Sequence, residues 1–178
     1  MKASIINIIT FSRIFLAMII FILLTQNDSY FLALILFFLA GITDYIDGAL
    51  ARKFSVTSQL GEIIDPIADK ILIIFLFFGL SISLSSYWIG FIASIIISRE
   101  IWVAALRDFN SRNNNTNATK VTFLAKIKTA VQLFTIFTYL TALAFNKMLL
   151  IIFGDIFLFL SLLITIYTGY IYTFNTFK

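Results

Sequence analysis

The stretch YFLALILFFLAGITDYIDGALARK, residues 30–53, is apolar up to Thr43 and then turns charged at Asp44, Asp47, Arg52 and Lys53. A second acidic pair follows in GEIIDPIAD, residues 61–69, at Asp65 and Asp69. An apolar run of about 20 residues is enough to cross a bilayer as a helix. A carboxylate facing lipid costs several kcal/mol, so acidic groups at the end of such a run face an interior or a wet cavity. Asp44 and Asp47 stand at i, i+3, and Asp65 and Asp69 at i, i+4, so each pair shares one helix face. If the two pairs face each other, four negative charges need a cation between them.

The rest of the chain has the same character. It has 178 residues, 61% hydrophobic and only 12% charged, with one Pro and seven Gly. The mean hydropathy of +1.01 makes it an integral membrane protein rather than a soluble domain. Apolar runs and polar breaks give six spans, roughly 5–25, 30–53, 61–81, 86–108, 119–145 and 149–174. The expected fold is an all-α, six-transmembrane-helix bundle forming a single domain over 1–178, with short connections making neighbouring spans antiparallel. Arg13 inside the first apolar run, with no small-residue cleavage site, marks a retained helix rather than a signal peptide. The Asn-rich stretch 109–118 reads as a loop, and its Asn-X-Thr triplets at Asn114 and Asn117 as an Asn-biased polar turn.

Charge and composition narrow the chemistry. There is no Cys, hence no thiol nucleophile or disulfide framework, and no His, so acid–base work falls to carboxylate, Lys or Tyr. The net charge of +4 favours anionic partners such as lipid headgroups or phosphates. Nucleic acid is not expected, because the basic residues are spread over several segments and form no single stripe. Placing the N-terminus inside puts Lys2, Arg52, Lys53, Arg107, Arg112, Lys120 and Lys178 on the cytoplasmic side and only Lys147 opposite. The excess of Lys and Arg therefore turns the acidic stretch toward the cytoplasm.

Carboxylate oxygens suit Mg²⁺ or Mn²⁺, which work through a few acidic side chains plus substrate phosphates. Two such ions can stabilise the entering and leaving oxygens of a phosphoryl transfer. Gly48 and Gly61 leave backbone open to close approach, and Arg52 can fork onto a phosphate oxygen. Pro66 is expected early in its span, where a missing N–H matters least. Each feature has a plainer reading: an Asp as a hydrogen-bond anchor, the glycines as helix-packing positions, Arg52 and Lys53 as topology signals. Four aspartates, two glycines and an arginine in one ordered spacing favour a site.

That spacing, D-x2-D-G-x2-A-R-x8-G-x3-D-x3-D, with Asp44, Asp47, Gly48, Ala51, Arg52, Gly61, Asp65 and Asp69 in place, resembles the signature of the CDP-alcohol phosphotransferase family without a departure. The resemblance implies a six-helix membrane enzyme, commonly dimeric, that moves a phosphatidyl or similar group from a CDP-linked donor to an alcohol and releases CMP. It implies that Asp44, Asp47, Asp65 and Asp69 hold two divalent ions, Mg²⁺ or Mn²⁺, with Asp69 also the general base. It further implies that Gly48, Arg52 and Ser58 contact the CDP part of the donor.

Outside the signature, Asn7-x2-Thr10-x2-Arg13, Asp65-Pro-Ile-Ala-Asp-Lys70, Ser98-Arg-Glu100, Ala105-Leu-Arg107 and Lys126-Ile-Lys-Thr129 resemble the phosphatidylglycerophosphate-synthase subgroup. Ile6 stands where that subgroup commonly has Pro. The resemblance covers about residues 5 to 132 and adds Asn7 to the CDP-diacylglycerol contacts. Arg99 and Arg107, close to two turns apart, share a face, and Lys126 and Lys128 are expected deep in the fifth span. Cations so placed need an anion, either Glu100 or a bound phosphate. An acceptor carrying its own phosphate, such as glycerol 3-phosphate, fits Arg99, Arg107, Lys126 and Lys128. The expected partners are thus CDP-diacylglycerol, glycerol 3-phosphate, membrane lipid and a second copy of the chain, at a multi-pass site in the cell (inner) membrane.

Two other readings stay open on the sequence. One is another family activity, such as a cardiolipin synthase or a serine- or inositol-phosphate-using synthase. The other is a cation transporter, which predicts carboxylates near the membrane centre and no arginine beside them. Without His or Cys, direct transfer is simpler than a covalent intermediate on the protein.

Overall fold

The computed structural model describes the backbone of residues 2–26, 29–54, 59–120 and 122–178, and side chains over 10–26, 29–44, 46, 64, 67–115, 117–120 and 122–178. Six helices account for the described chain: α1 (Lys2–Thr25), α2 (Tyr30–Phe54), α3 (Gln59–Ser83), α4 (Tyr87–Arg112), α5 (Phe123–Ala144) and α6 (Met148–Phe177). A single 3₁₀ turn, Thr116–Thr119, precedes α5. The all-helical fold is the expected one, and among the described residues no strand occurs. Three stretches, Tyr87–Arg112, Asn117–Ala144 and Met148–Phe177, are long and apolar enough to cross a membrane. The apolar parts of α1 and α2 over Thr10–Thr25 and Tyr30–Asp44 are shorter.

Helix α1 packs on α2 and α3, α5 on α6 and α2, and α4 on α6 and α3. Lipid is as apolar as leucine, so close contact between helices depends on small residues and dispersion. Ala17, Ala33, Ala40 and Ala93 are fully buried where helices meet, beside Ile20, Leu76, Leu80, Ile136 and Leu140. Gly154 on α6 shows how tight the fit is. A Cβ there would lie 2.6 Å from the ring of Tyr139 on α5. That ring is fully buried, and its hydroxyl donates to Asp155 Oδ1 at 2.6 Å, so it has little room to yield. Gly154→Ala is therefore expected to destabilise the protein by about 1–3 kcal/mol, the usual cost of overpacking. Thermal unfolding in detergent checks this, and an unchanged midpoint would show that α5 and α6 can separate at no cost.

Several boundaries differ from the sequence reading, three of them with consequences for particular residues. Helix α4 runs on to Arg112 instead of stopping at 108. There Asn110, 1% exposed, donates its amide to the Leu106 carbonyl and to Thr176 Oγ1 of α6, and Asp108 pairs with Arg112 at i, i+4. Part of the expected Asn-rich loop is thus helix, with Asn114 at φ 56° taking the left-handed turn that follows, a conformation asparagine tolerates. Helix α5 starts at Phe123, after Thr122 caps it by accepting from the Ala125 amide. Helix α3 starts at Gln59 rather than 61, so Pro66 is its eighth residue, and having no N–H it cannot donate to the Glu62 carbonyl.

Candidate functional site

Three helices bring charge together at one end of the bundle. Arg13 of α1 is 2% exposed, although it stands in an apolar run. Its Nη1 lies 2.8 Å from Asp44 Oδ1 of α2 and 2.5 Å from Asp69 Oδ1 of α3. The two carboxylates are about half exposed, so the buried cation reaches the surface of the bundle through them. Two acidic oxygens from different helices already share one cationic nitrogen, which is the arrangement a bound cation also requires. Carboxylate donors of this kind fit a hard divalent ion.

The structure thus brings Asp44 and Asp69 to one cation, Arg13. The side chains of Asn7, Asp47, Gly48, Arg52, Ser58 and Asp65 lie outside the described residues. Among the described residues no group of three or more His, Cys, Asp or Glu gathers at one point. Asp69 is the eleventh residue of α3 and stands well inside the helix.

A cavity of about 580 Å³ opens between α3, α4 and α5 beside Asp69. It is lined by five basic side chains, Lys70, Arg99, Arg107, Lys126 and Lys128, against two acidic ones, Asp69 and Glu100. All four cations expected from the sequence line it, and they divide into two kinds. Arg99 is locked in place: Nε donates to the Thr165 carbonyl (3.1 Å), Nη2 to Thr168 Oγ1 (2.6 Å) and Nη1 to Glu100 Oε1 (2.9 Å). Gly169 makes this possible, since a Cβ there would press on Arg99 Cγ at 3.0 Å. Lys128, 5% exposed, donates to the same Glu100 oxygen.

Arg107, Lys126 and Lys70 form no ion pair among the described residues. Lys126 is the fourth residue of α5 and exposed, not deep in the span as its sequence position suggested, because α5 starts later than expected. Arg99 and Arg107 do share a face: their guanidinium carbons lie 5.7 and 5.8 Å from the centre of the Tyr172 ring of α6, within cation–π range. With Glu100 occupied by Arg99 and Lys128, the remaining cations leave the cavity suited to an anion.

A second cavity of about 650 Å³ lies between α2, α3 and α5. Phe37, Phe38, Phe134 and Phe137 give it an apolar wall, while Arg13, Asp44 and Asp69 stand at its charged end. The two cavities share Asp69, Ile73, Thr129, Ala130 and Leu133. One carboxylate therefore borders both a cation-lined chamber and an apolar one. Arg13 and Lys70 were not among the site residues expected from the signature. The available signal was an arginine in an apolar run and a lysine directly after Asp69.

The chain matches the CDP-alcohol phosphatidyltransferase family over residues 4–167. It is 37% identical to a CDP-diacylglycerol–glycerol-3-phosphate 3-phosphatidyltransferase of Blochmanniella floridana, across 81% of this chain and 74% of that protein. Proteins of the same name from Haemophilus influenzae and Escherichia coli K12 are 34% and 32% identical. The former alignment covers 75% of this chain and 73% of the relative, the latter 59% and 58%. The match extends from α1, which supplies Arg13, past the arginines of α4 and the lysines of α5 into α6, so the chain belongs to the CDP-alcohol phosphatidyltransferase family.

Proposed function

We propose that this protein transfers the phosphatidyl group of CDP-diacylglycerol to glycerol 3-phosphate, giving phosphatidylglycerophosphate and CMP. The observation that carries the reading is Asp69 in the wall shared by a cationic and an apolar cavity. The acyl chains of the donor suit the phenylalanine-lined cavity, and the acceptor's phosphate suits the basic one. Asn7, Gly48, Arg52 and Ser58 are the candidates for the CDP end.

Asp69 takes the proton of the acceptor's primary hydroxyl. That oxygen forms a bond to the donor's β-phosphorus as the bond to CMP breaks, and CMP leaves with the electron pair. Arg107 and Lys126 meet the acceptor phosphate, while Arg99 and Lys128, tied to Glu100, hold the shape of the chamber. Asp44, Asp47, Asp65 and Asp69 would hold two divalent ions, Mg²⁺ or Mn²⁺, whose charge when bound stabilises the diphosphate oxygens. Placing and charge do most of the work in phosphoryl transfer. Six spans in the cell membrane, a cytoplasm-facing site and a homodimer complete the proposal.

The test is CMP release by purified protein given CDP-diacylglycerol and a panel of acceptors. Glycerol 3-phosphate should outperform phosphatidylglycerol, serine and inositol phosphate; preference for any of those would reassign the activity within the family. Arg107→Ala and Lys126→Ala should each raise KM for glycerol 3-phosphate about tenfold, equivalent to about 1.4 kcal/mol, at the low end for charged hydrogen bonds because both side chains are exposed. Donor affinity should change far less.

A further inference from the structure

Two uncharged polar side chains, Thr129 and Gln132 of α5, line the cationic cavity. Thr129 donates its hydroxyl to the Ala125 carbonyl. Gln132 differs: it is 1% exposed, and its Nε2 meets no hydrogen-bond acceptor among the described residues. A buried amide donor left without a partner costs about 1–3 kcal/mol, so such a group is normally matched by a ligand or an ordered water. Ser161 and Thr165 also carry unmatched buried hydroxyls, but neither lines the cavity.

The position of Gln132 indicates what would match it. Lys128 and Gln132 stand at i, i+4 on α5, so they share a face and lie roughly one helical pitch, about 5.4 Å, apart. Lys128 is held by Glu100, whereas Arg107 and Lys126, which meet the acceptor phosphate in the reading above, line the same cavity as Gln132. A small phosphate ester held by those two cations therefore has its carbon-borne hydroxyls inside the chamber that Gln132 borders. An amide N–H there can donate to a hydroxyl oxygen, and it offers nothing to a methylene.

We propose that Gln132 is a specificity-determining residue that donates from Nε2 to the non-reacting, secondary hydroxyl of a phosphorylated polyol acceptor. The proposal rests on the acceptor reading given above and extends it to the atom recognised. It explains why a buried side chain with an unmatched donor lines a chamber whose other lining groups, Thr129 apart, are charged or apolar.

The test compares two acceptors, glycerol 3-phosphate and 3-hydroxypropyl phosphate, which lacks only the secondary hydroxyl. Sites built to bond a hydroxyl reject analogues without it, and for one hydrogen bond wild-type kcat/KM should favour glycerol 3-phosphate by about tenfold to a hundredfold. Gln132→Met, similar in shape but without a donor, should lose most of that preference by a fall on glycerol 3-phosphate. Its kcat/KM on 3-hydroxypropyl phosphate should stay within about twofold of wild type, the scatter of independent effects. CDP-diacylglycerol binding and the thermal midpoint should not fall.

An equal loss on both acceptors would mark Gln132 as structural and overturn the proposal, as would a preference that survives in Gln132→Met. Absence of any preference in the wild type overturns it without recourse to a variant. If the wild type uses neither phosphate ester yet releases CMP with another alcohol, the acceptor reading itself fails, and the proposal with it.

Discussion

Replacing Asp69 by Asn is expected to lower turnover by about a thousandfold while CDP-diacylglycerol still binds, since a positioned base typically contributes 10²–10⁴. The change is nearly isosteric and removes the charge and the proton-accepting oxygen together. The alternatives nearby are poor bases. Glu100 lines the acceptor chamber, but Arg99 and Lys128 share its Oε1. Asp44 lines only the apolar cavity. The chain has no His. Single-turnover CMP release and donor binding, measured on the same preparation, separate chemistry from affinity. Turnover within tenfold of wild type would mean that another group takes the proton.

Arg13→Met is expected to weaken the fold most when divalent ions are absent. Without the guanidinium, Asp44 and Asp69 retain their charges and lose the cation between them. Breaking a fully buried pair costs about 3–5 kcal/mol. Here the carboxylates are half exposed and water screens them, so about 2 kcal/mol is the reasonable figure, a fall in thermal midpoint on the order of 5 °C for a chain of this size. Added Mg²⁺ or Mn²⁺ should recover part of that loss, because an ion bound to the same oxygens replaces the missing charge. Equal destabilisation in chelator and in excess metal would separate Arg13 from the metal-binding carboxylates. The arginine would then serve the helix contacts alone.

The helices could be read from the sequence because apolar runs broken by 26–29, 54–60 and 146–147 leave little else possible in a bilayer. Which side of each helix turns inward could not. In a soluble protein the apolar face is the inner one, but here exposed faces are apolar too: Phe15, Ile22, Phe31, Phe153 and Ile156 all face outward. The inner face of α6 is instead marked by Gly154, Ser161, Thr165, Thr168 and Gly169, a pattern recognisable only once its partners are known.

The candidate site was legible in part for a similar reason. Carboxylates at helical spacing declare a shared face within one helix, so Asp44 and Asp69 could be nominated early. Arg13 lies 31 residues before Asp44 in the chain, and only the packing of α1 against α2 and α3 joins them. The depth of Lys126 does not follow from the apolar run, because the start of α5 depends on a capping threonine at 122. Gln132 gave no sequence signal at all, since a lone glutamine in an apolar helix has many ordinary explanations.

The wall shared by the two cavities also bears on the kinetics. If donor and acceptor occupy separate chambers that meet at Asp69, neither has to leave before the other arrives. The rate law is then that of a ternary complex, with initial-rate lines that intersect, rather than a ping-pong cycle in which CMP departs before the second substrate enters. No phosphatidyl group has to be stored on the protein between half-reactions, and an enzyme without histidine or cysteine has few places to store one.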